Sequence, residues 1–269
     1  MIAEAYDYRD ECNALYELLA ALPDDAFAYE TLFKSWTIND VLGHLHMSDQ
    51  AAVLTLDNED AYANYVISVA EALACGMPLT TYTAQWLGGL SGQRLLRRWH
   101  ELTGEVARRY AELDSGRRVT WVKARMSARS CISARLMETW AHGQAVYDRM
   151  GRLREEHDRI KSIAVLGVNT FGFTFTNRNL ELPAEKPFVR LMAPSGAIWT
   201  WNAPDAQSSV KGSAVEFCQV VAQTRNVADT HLVVKGDAAV RWMAIAQCFG
   251  GSPEGPPLPG ARHLHHLLS

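Results

Sequence analysis

The sequence predicts a helical bundle over residues 1–180 followed by a smaller α+β unit over residues 181–269. Three observations carry this. The first two-thirds consists of long stretches in which apolar residues recur at helical spacing. After Asn179 the pattern changes to short β-branched and aromatic runs separated by turn residues. The chain has 269 residues, of which 48% are hydrophobic, enough to bury the core of one large domain or two small ones.

Taken in order, a first helix is predicted from about Ala3 to Leu22, with Leu15, Leu18, Leu19 and Leu22 on one face. It stops before the turn Pro23-Asp24-Asp25. A second starts after Trp36-Thr37. Thr37 is its cap, and Asp40 stands three residues on, where an acid meets the helix dipole and completes a capping box. Further helices are expected over about Ala61 to Cys75 and Ser91 to Leu113. The latter carries Leu95, Leu96, Trp99, Leu102, Val106 and Tyr110 on one side, with Arg97, Arg98, Arg108 and Arg109 as a solvated face. A fourth long helix runs from about Ala128 to Met150 and ends at Gly151, a good C-cap. His157 to Arg178 is also read as helical. Then Phe188 to Met192 and Ile198 to Trp201 form a hairpin around Pro194-Ser195-Gly196. Strands at Ser208 to Lys211 and His231 to Val234 alternate with helices at Val215 to Gln223 and Ala238 to Phe249. The Gly- and Pro-rich stretch from Gly250 to Gly260 reads as an extended arm.

Charge and cysteine usage remove several function classes. The net charge is −4 and the basic residues are spread along the chain, so neither nucleic acid nor an anionic membrane is the expected partner. No apolar run approaches the roughly 20 residues that span a bilayer. Glu4, Asp7 and Asp10 interrupt the start where a signal peptide would be apolar. Five cysteines, Cys12, Cys75, Cys131, Cys218 and Cys248, are odd in number and widely spaced, without a C-x-x-C pair. They read as reduced thiols of a cytoplasmic protein, not a disulfide framework or a thiolate zinc site. There is no Gly-rich phosphate loop and no nucleophile elbow.

The chemistry concentrates in Leu136-Met137-Glu138-Thr139-Trp140-Ala141-His142-Gly143. Glu138 and His142 stand four residues apart, on one side of a helix and one turn from each other. Ile132, Leu136, Trp140, Tyr147 and Met150 form the opposite, apolar stripe. Around Glu138 and His142 stand Cys131, Ala134, Ala141 and Ala145, which are small, whereas a solvent face would carry Lys, Glu or Gln. This predicts a helix covered on both sides, with a pocket beside the Glu and His. Divalent zinc accepts both residue types, and a catalytic site needs three protein ligands and an open position. The third ligand is expected at His44 or His46. These lie about 200° apart on a helix, so both cannot face one site, and the stripe Ile38, Val41, Leu42, Leu45 does not decide between them. Asp49 is a candidate acceptor behind a ligating histidine. The ordinary alternatives are a surface Glu–His pair worth a few tenths of a kcal/mol and a core histidine satisfied by backbone. His100, His157 and the tail histidines His263, His265 and His266 offer no closed site.

Two segments carry a family resemblance. Trp36-Thr37-Ile38-Asn39-Asp40-Val41-Leu42-Gly43-His44-Leu45 resembles the opening of the second bundle helix in DinB-like proteins, and more closely that of the mycothiol-dependent maleylpyruvate isomerase family. Ala134-Arg135-Leu136-Met137-Glu138-Thr139-Trp140-Ala141-His142-Gly143-Gln144 resembles the later metal helix of the same family. The resemblance implies a DinB-like four-helix bundle and, weakly, a C-terminal sterol-carrier-like α+β domain. It implies a divalent metal, usually zinc, on His44, Glu138 and His142, and so selects His44 over His46. It further implies that the open metal position binds the thiolate of mycothiol. Bundles of this kind often dimerise, which makes a homodimer a candidate assembly, although no segment of the sequence specifies one. Ala145 departs from the Asp that members often carry there. A catalytic arginine is expected from the C-terminal domain, with Arg225 and Arg241 as candidates by location alone.

The resulting expectation is a zinc-dependent enzyme. It would activate a low-molecular-weight thiol for transfer to, or thiol-assisted isomerisation of, a small electrophile. The alternative is a non-catalytic protein of the same fold that binds metal and a small ligand.

Overall fold

The computed structural model describes residues 1–121 and 124–262. The tail histidines His263, His265 and His266 lie outside the described residues. The chain divides into two compact units, Met1–Arg149 and Met150–Ser269.

Four long helices build the first unit: α1 (Glu4–Ala20), α2 (Ile38–Asp57), α5 (Gly92–Glu112) and α6 (Ala128–Arg149). Two shorter helices, α3 (Glu59–Ala74) and α4 (Leu79–Leu87), lie between α2 and α5 in sequence. A hairpin of β1 (Arg118–Trp121) and β2 (Ala124–Ser127) joins α5 to α6, with Arg118 opposite Ser127 and Trp121 opposite Ala124. Neither α4 nor this hairpin was expected. Leu79–Leu87 is only nine residues long and carries three threonines, and the hairpin strands have four residues each, too short for periodicity to register.

The long helices form for the reasons the sequence supplies. Leu95, Leu96, Trp99, Leu102, Val106 and Tyr110 of α5 are all buried, while Arg98 and Arg108 form exposed pairs with Glu101 and Glu112. The N-terminus of α2 carries the expected capping box. Asp40 N–H donates to Thr37 Oγ1 at 3.1 Å, and Thr37 N–H donates to Asp40 Oδ2 at 2.9 Å. Helix α6 is covered on both sides, since Ile132, Leu136 and Trp140 are buried on one face and Cys131 and Ala145 on the other. Gly43 permits α4 to approach α2. A Cβ there would stand 3.0 Å from Leu87 Cδ1 and 3.1 Å from Thr83 Cγ2.

The second unit begins about 30 residues earlier than the predicted boundary near residue 180. Helices α7 (Lys161–Asn169) and α8 (Phe171–Thr176) belong to it because their apolar faces are buried within it. Phe171 meets Trp242 edge-on at 5.2 Å. A Cβ on Gly167 would meet Val221 at 2.8 Å and Phe217 at 3.0 Å, so α7 lies against α9 (Ala214–Val221) at a distance only glycine allows. The sheet has the order β4-β3-β5-β6, from β3 (Phe188–Met192), β4 (Ile198–Trp201), β5 (Ser209–Ser213) and β6 (Val233–Lys235). Strands β3 and β4 form the predicted antiparallel hairpin, with Val189 opposite Trp201, whereas β3 and β5 run parallel. Helix α10 (Asp237–Ile245) supplies the buried Trp242 and Met243. The predicted arm is an ordered strap. Gln223 Nε2 donates to Glu254 O, Gln247 Nε2 to Ser252 O, and Asn226 Nδ2 to Pro257 O.

Among the described residues no helix is long and apolar enough to cross a membrane. None of the five cysteines forms a disulfide among the described residues, and only Cys75 is exposed.

Candidate metal centre

Helices α2 and α6 bring His44, Glu138 and His142 together. One ligand atom from each lies within 4.8 Å of the others, and this is the one such trio among the described residues. His44 Nε2 stands 3.4 Å and His142 Nε2 3.2 Å from the same oxygen, Glu138 Oε2. Tetrahedral zinc with bonds of about 2.0–2.1 Å requires ligand atoms about 3.3–3.4 Å apart. The two Glu–His separations therefore already match the edges of such a site. The side chains are 12–25% exposed, so the cluster is reached from outside but largely shielded.

The electrostatics agree with a ligand set. Burial raises the Glu138 carboxyl, but hydrogen bonds and charge from His142 and His44 outweigh it and leave Glu138 well below the usual carboxylate range. Burial pushes His142 down, beyond what the Glu138 carboxylate restores. An anionic carboxylate beside a neutral imidazole is the protonation state that binds a metal. Nδ1 of His44 and of His142 is closed to solvent and has no hydrogen-bond partner among the described residues.

His46 points elsewhere. It is buried against Trp86, with ring centroids 5.8 Å apart, and burial lowers its pKa. Asp49 does not stand behind a ligating histidine. It accepts from Arg135 Nε at 2.8 Å and from Trp99 Nε1 at 3.0 Å, all deep in the bundle. The sequence reading missed Arg135. The available signal was a cation flanked by Ile132 and Leu136 in a helix already read as covered on both sides, where only a buried partner could hold it. It missed also the aromatic wall of Phe33 and Trp36, which packs on both histidines.

The two arginines expected from the C-terminal part lie in the second unit. Arg225 is buried and donates to Thr224 O. Arg241 donates to Glu181 O, pairs with Asp237 at 3.5 Å and lies over the Phe175 ring. His100 stacks on Tyr16 at 3.9 Å and contacts Asn13, while His157 pairs with Glu155.

Known proteins resemble this chain in sequence and in fold. The family model described as the mycothiol maleylpyruvate isomerase N-terminal domain matches residues 8–147. Uncharacterized proteins from two strains of Mycobacterium tuberculosis are 38% identical over 247 residues, covering 92% of this chain and 95% of theirs. A crystal structure of the mycothiol-dependent maleylpyruvate isomerase superposes with a TM-score of 0.50 at 13% identity, over 81% of this chain and 86% of that one. A single-residue mutant of that isomerase matches with the same TM-score and coverage at 12% identity. At such identities the likeness concerns the fold.

Proposed function

The chain belongs to the mycothiol maleylpyruvate isomerase N-terminal domain family, and on that premise we propose that it is a zinc-dependent enzyme that activates a low-molecular-weight thiol of the mycothiol type. The thiol would attack a small electrophile, giving S-transfer, or isomerisation after reversible addition. The observation that carries this is the Nε2–Oε2–Nε2 trio of His44, Glu138 and His142, spaced at 3.4 and 3.2 Å.

The donor set suits the group. Two imidazoles and one carboxylate form a His2Glu site, which would leave a divalent ion one net positive charge and room for one more ligand. Bound there, zinc would lower the pKa of a thiol and present it as thiolate. The chain's residues hold and shape the place. Helix α6 fixes Glu138 and His142 one turn apart, and the capping box fixes the start of α2 two turns before His44. Ala134 and Ala141 are half-buried beside them and too small to fill the space, so they leave a place for thiol and substrate. Trp36 and Phe33 keep bulk water from the imidazole faces. Arg225 and Arg241 are each held by groups of the second unit, and the proposal gives neither a place in the chemistry.

The test is metal content of the purified protein against His44→Ala and His142→Ala, followed by titration of the cobalt-substituted protein with a small thiol. About one metal per chain, lost in both variants, together with a thiolate charge-transfer band, is the expected result. Metal without a response to thiol returns the non-catalytic binding protein. No metal after reconstitution overturns the proposal.

A further inference from the structure

A metal-ligating histidine ordinarily donates its distal N–H to a carboxylate, carbonyl or water, which fixes the ring before the metal arrives. Among the described residues nothing gives His44 and His142 that support. Nδ1 of each is shut off from solvent and without a hydrogen-bond partner among the described residues. Asp40 and Asp49, the carboxylates nearest in sequence to His44 on the same helix, are engaged elsewhere, Asp40 in the capping box with Thr37 and Asp49 by Arg135 and Trp99.

Aromatic rings take the place of those hydrogen bonds. The Trp36 indole lies parallel to the His142 imidazole, with an interplanar angle of 2° and centroids 5.7 Å apart. The Phe33 ring meets His142 at 86° and 5.0 Å. Trp36 also meets His44 at 64° and 5.5 Å, and Phe33 backs Trp36 edge-on at 5.0 Å. Offset-parallel and edge-on contacts at these separations are the favoured arrangements of π-systems. They restrict rotation of both imidazoles about their side-chain bonds.

The rings themselves are held by a tight, disfavoured turn. Glu30 bridges to Thr37, Thr31 N–H donates to Trp36 O at 2.7 Å, and Trp36 N–H donates to Phe33 O at 2.9 Å. The two residues at the tip, Lys34 and Ser35, have φ of 52° and 55°. Turns of this kind favour Asn-Gly because both central residues are left-handed. A turn kept in that conformation by residues with a Cβ is fixed by its surroundings, and such strain clusters at functional sites.

We propose that Trp36, backed by Phe33, is a positioning residue that fixes the His142 and His44 imidazoles for metal binding in place of hydrogen-bonded outer partners. The inference rests on the metal-site reading above. Confining the rings beforehand removes their rotamer entropy from the cost of binding.

The experiment measures zinc affinity by competition with a chromogenic chelator in the wild type, Trp36→Ala, Trp36→Phe and Phe33→Leu. Thermal unfolding of the metal-free proteins and the visible spectrum of the cobalt forms accompany it. Trp36→Ala should weaken zinc about 10-fold or more, within the 10–100-fold range of lost outer partners, and should alter the cobalt bands. Trp36→Phe should recover affinity to within about threefold of wild type, and Phe33→Leu should fall between. If Trp36→Ala folds and binds zinc within about twofold of wild type, the positioning role is wrong while the metal site stands. If Trp36→Ala fails to fold, Phe33→Leu with unchanged affinity and cobalt bands overturns the role instead. A wild type that binds no zinc overturns both readings.

Discussion

Replacing Arg135 with Met should be among the most damaging single changes in the first unit. Its Nε donates to Asp49 Oδ1 at 2.8 Å, and the two side chains are only 2% and 0% exposed. Burial works against the Arg135 charge, but Asp49 restores it and holds the guanidinium above its ordinary pKa. Without the cation, Asp49 still accepts from a neutral donor, Trp99 Nε1 at 3.0 Å. Breaking a buried pair from one side costs about 3–5 kcal/mol. At roughly 2–4 °C per kcal/mol for a protein of this size, that is a fall in Tm of about 6–20 °C. The double change Asp49→Asn with Arg135→Met removes both charges and keeps an acceptor for Trp99. It should recover most of the loss, since a buried pair as a whole adds little net stability. The pair also ties α2 to α6, five residues beyond His44 and three before Glu138, so Arg135→Met should weaken zinc binding as well. Urea unfolding followed by fluorescence and circular dichroism, with zinc affinity on the same samples, measures both effects. A loss below about 1 kcal/mol for Arg135→Met, or a double variant no better than the sum of the single changes, would refute the account.

Three further outcomes are expected. Thr37→Ala removes the cap accepting from Asp40 N–H and should cost about 0.5–2 kcal/mol in urea unfolding, with a modest decline in metal affinity because α2 carries His44. Chelation of the metal should lower the Tm, and excess zinc should restore it, as ligand linkage requires; a Tm unaffected by chelation in a protein shown to hold metal would contradict the assignment. Burial pushes the Cys131 thiol up to about 11. A pKa raised in the folded state contributes stability that is present below the unfolded thiol's value of about 8.5 and lost as pH rises through about 11. Cys131→Ala should therefore show a shallower decline in urea midpoint between pH 8 and 10.5 than wild type, and identical slopes would refute this.

The elements of the fold were legible wherever the chain repeats its signal over several turns. Helices α2, α5 and α6 carry ten or more buried residues each, and α2 adds its capping box, so period and caps point the same way. Short elements such as α4 and the β1–β2 hairpin carry too few residues for a period to stand out. The unit boundary was misplaced because α7 and α8 look like continuations of the bundle, and only their packing partners, Phe217, Val221 and Trp242, assign them to the sheet unit.

The candidate site divides in the same way. Glu138 and His142 could be read from the sequence because a helix converts a spacing of four into a shared face. Helical geometry could not choose between His44 and His46, which depends on which side of α2 meets α6; the motif resemblance chose His44, and the tertiary structure sets it 3.4 Å from Glu138. The pairing of Asp49 with Arg135, 86 residues apart, and the stacking of Trp36 on His142 were decided by tertiary structure alone. Sequence fixes neighbours along one helix through covalent geometry, whereas contacts between helices depend on how whole faces pack.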